Sequence, residues 1–439
     1  MRKARLIAIL TLGLASATHA ENWPQWRGPA ATGMSSEKGL PLTWSATENV
    51  AWKTMLNGQG ISSPIVWGDR VIVTSQKGRG VARAGPRLMQ GGDAAGAGEV
   101  PLGGSNPANS NAVTFLVTAL DRATGRLAWE FSLDSEGQLT TVHEKHNLAT
   151  PSPATDGQRV YAWFGTGQLV ALDMTGKLIW KKNLATEYGP FNINWGHGSS
   201  PVVVKDMLVL QCYHPGATYL LSLDSATGKV RWKVDGPRNV TSYSTPFAID
   251  APAGTELVVN SSEGLSGHNA ATGERLWHIA ESNNYPIPTA LQHDGIIYTS
   301  RGYRSGPFLA IRPGGKGDVS QSHIVWKVQT GAPYVSSLAY LDGLLYMIGD
   351  VGVASVFESK SGTRVWQERI GGVYTASPIA GDGKIYFFSE DGETVVLAAG
   401  REPRVVARNK LGVRQLASPA VSGGRLFIRS DDAIYAIGK

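Results

Sequence analysis

The chain has 439 residues, of which 53 are glycine, about 12% against the ~7% of an average globular protein, and only 17% are charged. An apolar fraction of 42% is ample for a core and excludes a disordered chain, while the glycine excess signals many tight turns. The formal charge of +6 is spread without a Lys/Arg cluster, which speaks against a nucleic-acid surface.

The N-terminus reads as a secretory leader. Arg2, Lys3 and Arg5 form a basic region, Leu6 to Ala17 an apolar one, and Thr18-His19-Ala20 a small-residue cleavage motif, so residues 1–20 are expected to be removed after Ala20. Losing those three cations lowers the formal charge from +6 to +3. No other apolar run is long enough to cross a bilayer, so a periplasmic or secreted protein without membrane insertion is expected. No cysteine follows the cleavage motif, and a lipid anchor there is not expected. Cys212 is the single cysteine, which excludes an intrachain disulfide, a CxxC redox pair and a haem-attachment site.

An internal repeat organises the rest. Ser63-Pro64, Ser152-Pro153, Ser200-Pro201, Thr245-Pro246, Thr289-Ala290, Ser337-Leu338, Ser377-Pro378 and Ser418-Pro419 each open an alternating apolar strand, at spacings of 40 to 48 residues after the first interval. Each anchor leads through a turn such as Asp156-Gly157, Asp342-Gly343 or Asp382-Gly383 into a second strand. Most repeats close with a strand, a Gly-containing turn and a strand bearing Trp: ALDRATGRLAWE (119–130), ALDMTGKLIWK (171–181), SLDSATGKVRWK (222–233), HNAATGERLWH (268–278) and FESKSGTRVWQ (357–367). The units at 311–326 and 397–408 depart from this, the latter lacking Trp.

Eight anchors with four strands each predict an all-β fold, an eight-bladed β-propeller of four-stranded antiparallel blades. The last repeat lacks its outer strand and NVAWKTML (49–56) can supply it, so the ring is predicted to be closed by this N-terminal strand. The expected organisation is a signal peptide (1–20), an N-terminal leader (21–48) and one propeller domain (49–439), with a long loop insert at 77–112 in the first blade.

The AxDxxTGxxxW units resemble the repeats of pyrroloquinoline quinone (PQQ) dehydrogenases and of the propeller lipoprotein of outer-membrane barrel assembly, and WPQWRGP (23–29) resembles the mature start of exported PQQ-binding-like propeller repeat proteins. The resemblance covers nearly all of the mature chain and is specific for fold, because the repeated residues are structural ones. It implies two activities as alternatives: a quinoprotein alcohol or sugar dehydrogenase carrying PQQ with Ca²⁺, and a barrel-assembly scaffold. Such dehydrogenases usually carry adjacent cysteines beside the quinone, which this chain lacks, and Asp350, Glu390 and Asp391 are calcium or base candidates by location alone.

Strand parity assigns faces. Loops between strands 1 and 2 and between strands 3 and 4 share one rim and are monotonous Asp-Gly and Thr-Gly turns. The loops between strands 2 and 3 and the crossings between blades share the other rim, where the sequence is varied. There the ligand-binding candidates are His143, His146 and Asn147, Trp195 and His197, Tyr243, Tyr285, Arg301, Tyr303, Arg304, Tyr334, Tyr374 and Arg414. A single tyrosine there reads as a packing residue with a wet hydroxyl, whereas a ring of them favours binding. Arg301, Tyr303 and Arg304 suit a carboxylate, phosphate or sugar, or form ion pairs with Glu263 or Asp350. His143 and His146 are three residues apart in a loop, not at the helical spacing of a zinc protease, so no metal is expected. His197 stacks on a ligand or fills a turn. No GxSxG elbow occurs, and no catalytic residue is assigned. The expectation is a monomeric, non-enzymatic exported propeller that binds a small molecule, glycan or envelope protein.

Overall fold

The computed structural model describes residues 20–83, 112–137, 139–251, 254–303 and 306–439. Eight antiparallel four-stranded sheets follow one another around a ring, and the one helix among the described residues is the five-residue Leu184–Tyr188. Blade 1 is typical: Ile65–Trp67, Arg70–Lys77, Thr114–Asp121 and Leu127–Asp134 pair in that order from axis to edge. Blade 8 is completed as the sequence predicts. Val50–Met55 pairs antiparallel with Ala433–Ile437, so the first propeller strand is the outer strand of the last blade. Closure leaves no open end to the array.

The repeat residues explain the ring. Trp129 donates from Nε1 to the Met174 carbonyl at 3.0 Å, Trp180 to Ser225 at 3.1 Å, Trp232 to Ala270 at 3.2 Å, Trp326 to Ser359 at 2.8 Å and Trp366 to Gly400 at 3.2 Å. Each outer-strand indole therefore docks on the turn between strands 3 and 4 of the next blade. At Gly176 and Gly228, both at positive φ, a Cβ would lie 2.7 and 2.8 Å from the indole, so only glycine permits the contact. Trp52 repeats it across the closure, donating to the Arg122 carbonyl at 3.0 Å. Trp277 turns inward instead and donates to Glu256 Oε2 at 2.7 Å, because the next blade carries RPGGKGD in place of the Thr-Gly turn. Gly317–Asp318 of that segment adds a short parallel strand to the edge of blade 4. Where blade 7 lacks its Trp, Trp44 from the leader is buried among Tyr386 of blade 7 and Val421 of blade 8.

The Ser/Thr anchors form a second device, a belt. The amide of Ser63 donates to Ser152 Oγ, Ser152 to Ser200, Ser200 to Thr245, Thr289 to Ser337, Ser337 to Ser377 and Ser377 to Ser418, all at 2.8 to 3.0 Å. Each bond joins consecutive blades. The two junctions without such a bond, blade 4 to 5 and blade 8 to 1, are crossed by fully buried arginines: Arg301 donates to Asn260 Oδ1 and to the Ser261 carbonyl, and Arg429 donates to the carbonyls of Ser62 and Thr74 and to Ser75 Oγ.

The leader does not simply precede the ring. Trp23 exchanges two 2.8 Å backbone bonds with Val66 of blade 1, and the Pro24 carbonyl accepts from Thr155 of blade 2. Trp26 Nε1 donates to Thr289 Oγ1 of blade 5 at 3.0 Å, Arg27 Nη2 donates to the Leu338 carbonyl of blade 6, and Met34–Ser35 pairs in parallel with the first strand of blade 7. Blades 2 and 6 are diametrically opposed, so the leader spans the central channel. Asn22, Glu37 and Leu40 bond to turns between strands 1 and 2 of blades 1, 8 and 7, which puts the plug at the rim of the short turns.

Candidate functional site

With one rim plugged, the other carries the variable residues. Crossings and 2–3 loops meet there through the backbone: Ser242 N donates to Tyr213 O, Tyr374 N to Asp350 O, Glu390 N to Val373 O and Gln415 N to Glu390 O. Both kinds of connection thus share one rim, as strand parity requires. The root of the 77–112 insert is there too, since Val81–Arg83 pairs in parallel with Thr141–His143; residues 84–111 and Arg304 lie outside the described residues.

Four tyrosines form a continuous arc over blades 4 to 6. Ring centroids are 6.3 Å apart for Tyr243 and Tyr285, 4.9 Å for Tyr285 and Tyr303, and 5.5 Å for Tyr303 and Tyr334. All four are half-buried, and Tyr243 is pinned by a 2.6 Å bond from its hydroxyl to the Asn194 carbonyl. Burial raises the hydroxyl pKa values of Tyr243 and Tyr334, so both stay neutral donors. Tyr374 does not join the arc. It is 1% exposed and packs with Ile348 and Phe387 in the core between blades 6 and 7.

Beside the arc lies a charged centre. Lys145, in the crossing into blade 2, places Nζ 2.9 Å from Glu390 Oε1 in the 2–3 loop of blade 7. Those blades are three positions apart, so the bridge reaches over the channel mouth. Thr375 Oγ1 donates to the same Glu390 oxygen. Asp350 lies nearby with Oδ1 lacking a hydrogen-bond partner among the described residues. Burial pushes its carboxyl up to about 6 although the amides of Val335 and Tyr334 favour the charged form and Lys145 adds to them. Arg414 and Asp431 pair at 3.0 Å.

The remaining candidates are positioned mainly by packing. His143 accepts the Lys145 amide on Nδ1 at 3.0 Å, and its ring centroid is 5.5 Å from that of Trp195, a residue held at φ 76°. Asn147 caps its own turn, accepting from Ala149 N at 3.0 Å, and donates to the Gln59 carbonyl at 3.2 Å. Burial drives the imidazoles of His146 and His197 down to about 3, so both are neutral, and His197 packs 4.2 Å from the Trp163 ring. Arg301 was expected on the rim as an anion ligand or an ion pair with Glu263 or Asp350. It is wholly buried as the rivet between blades 4 and 5, and Glu263 lies 3.8 Å from Arg275 instead. Lys145 was missed, because the bridge joins residues 245 apart and no local pattern signals it.

Among the described residues the donor set does not fit PQQ with calcium. Calcium takes six to eight oxygens, several from carboxylates. Among the described residues no three His, Cys, Asp or Glu side chains are grouped to hold a metal, and Lys145 neutralises Glu390. Cys212 is buried in blade 3. A depression of about 160 Å³ between Glu136, Thr166, Asn183 and Phe191 lies off the axis, and is smaller than the ~300 Å³ of ordinary cofactor pockets.

Comparison with known proteins agrees with the fold. The family model described as outer membrane protein assembly factor BamB matches residues 114–285 and 349–438, more than half of the chain. The chain belongs to this family. It is 26% identical over 344 residues to a polyvinylalcohol dehydrogenase of a Pseudomonas species, a match covering 67% of this chain and 50% of that protein. It is 25% identical over 300 residues to outer membrane protein assembly factor BamB of Yersinia pestis, covering 63% and 70%. The chain thus spans only half the length of the dehydrogenase. BamB from Moraxella catarrhalis superposes with a TM-score of 0.59 at 14% identity, covering 89% of this chain and 97% of that one. A quinohemoprotein alcohol dehydrogenase from Comamonas testosteroni gives 0.63 at 12% identity, covering 95% and 81%. At such identities the superpositions speak for the propeller alone.

Proposed function

We propose that the chain is an exported, non-enzymatic propeller that docks an envelope protein on the rim opposite its plugged end. The observation that carries this reading is the unbroken arc of Tyr243, Tyr285, Tyr303 and Tyr334, half-exposed and preorganised beside a mixed-charge centre. Tyrosine is enriched at the energetic centres of protein interfaces, since it supplies a large rigid ring and a polar tip. The assembly-factor relatives favour an envelope protein over a glycan or small ligand as the occupant.

The test compares the wild type with Tyr285→Ala/Tyr334→Ala for retention of components from a solubilised outer-membrane extract, with a glycan panel in parallel. Selective loss of a retained protein in the double variant supports the reading. Retention that survives the double variant, glycan binding alone, or dye reduction with alcohols after addition of PQQ and Ca²⁺ overturns it.

A further inference from the structure

The leader plug contains a carboxylate that gathers three backbone nitrogens, one of them Glu21 N. Glu37 Oε1 accepts from Glu21 N at 2.7 Å and from Gly423 N at 2.7 Å, while Oε2 accepts from Gly424 N. The Glu21 carboxylate is engaged elsewhere, accepting from Ser35 Oγ at 2.7 Å and Ser36 N at 3.3 Å. Arg122, on the 3–4 turn of blade 1, donates from Nη1 to Ser422 Oγ at 3.2 Å. Among the described residues Glu37 makes no ion pair. Its contacts are amides on both sides of the gap between plug and blade 8.

Glu21 N is also the nitrogen that the Thr18-His19-Ala20 motif would release. We infer that cleavage between Ala20 and Glu21 completes the plug: the new α-ammonium of Glu21 forms a salt bridge with Glu37 and fastens the leader to blade 8. Hydrolysis by a leader peptidase adds one water across the amide. Its oxygen ends in the Ala20 carboxylate, and the freed Glu21 amine carries a second and third proton at neutral pH. A hydrogen bond charged on the acceptor side alone thereby becomes a pair charged on both sides, with Coulomb attraction added to the existing contact. Glu37 is then the receptor for the mature N-terminus, and export processing is coupled to closure of the channel.

The test starts from the intact mass of exported protein, which should correspond to a chain beginning at Glu21. The mature chain is then compared with the same chain acetylated on Glu21 N, each with Glu37 intact and as Glu37→Gln, by the rate of tryptic cleavage after Arg27 and Lys38. Acetylation should speed cleavage several-fold when Glu37 is present and have no further effect in Glu37→Gln. A different N-terminus in the exported protein, or equal cleavage rates for free and acetylated chains with Glu37 intact, overturns the inference. If Glu37→Gln fails to fold, the acetylated chain alone decides.

Discussion

Arg429 in blade 8 donates from Nη1 to the Thr74 carbonyl in blade 1 at 2.7 Å, across the junction where the ring begins and ends. Among the described residues no acidic side chain bonds to this guanidinium; carbonyls and hydroxyls solvate it, and burial lowers its pKa to about 9. Arg301 plays the same part between blades 4 and 5. A long side chain thus replaces the anchor hydroxyl bond at the two junctions that lack it. Arg429→Met should cost about 2–4 kcal/mol, because the carbonyls of Ser62 and Thr74 lose their charged donor in a dry interface. Urea denaturation reads this directly, and a loss under 0.5 kcal/mol, an order-of-magnitude floor, would show that the seam is held by Trp52 and the paired strands alone.

The indole docking predicts a paired contrast between two glycines of similar backbone. Gly125 has φ 71° and a Cβ there would meet the Trp52 ring at 2.5 Å, whereas Gly383 has φ 69° and nothing within 4 Å. Gly383→Ala should cost only the left-handed backbone strain, about 1–2 kcal/mol. Gly125→Ala adds displacement of Trp52 and should cost clearly more, with a blue-to-red shift of Trp52 emission as the ring meets water. Equal losses at the two positions would remove the docking argument.

Acid should act on the fold through its neutral histidines. His146 and His197 are held at about 3 and His268 at about 4 by burial, against 6.5 when unfolded. A depressed folded value means that the unfolded chain binds the proton first. The stabilisation is complete above 6.5 and is withdrawn as pH falls towards 3, by up to about 1.4 kcal/mol per unit for each group. Asp350 works in the opposite sense: its folded value near 6 means that the folded state takes the proton first, so its penalty is full above 6, shrinks as pH falls below 6 and is nearly gone at the unfolded value of 3.8. Asp350→Asn should therefore stabilise at pH 8 by up to about 3 kcal/mol and not at pH 4. Denaturation midpoints at the two pH values decide, and a pH-independent effect would show that burial is not what perturbs this carboxyl.

The ring was legible in the sequence because its devices repeat. Anchors, Asp-Gly turns and the Thr-Gly to Trp spacing recur in register, and the strand missing from the last repeat points to the outer strand at 50–55. The leader carries no repeat, so its passage through the channel depends on partners hundreds of residues away, such as Trp26 with Thr289. The rim was legible as a rim, through parity, but its members were not. Tyr243, Tyr285 and Tyr334 occupy similar offsets before their anchors and join one arc, whereas Tyr374 at a similar offset is drawn into the core beside Gly372, whose ideal Cβ position lies 3.2 Å from its ring. Arg301 sits in a glycine-rich loop and so reads as exposed, yet the guanidinium turns inward to a gap in the belt that only three dimensions reveal.

Trp23 is 0% exposed and packs in the core cluster of blades 1, 7 and 8, with the ideal Cβ position of Gly28 only 2.9 Å from its ring. Trp23→Ala removes that volume from a site walled by strands on either side of the ring closure, where collapse to fill the space is limited. About 3–5 kcal/mol is expected when all of it acts on the global transition. If the leader instead unfolds as its own unit, the loss appears locally: trypsin reaches Arg27 faster while the denaturation midpoint of the ring barely moves. A variant with both unchanged midpoint and unchanged cleavage at Arg27 would mean that the backbone pairing of residue 23 with Val66, not the indole, holds the leader in the channel.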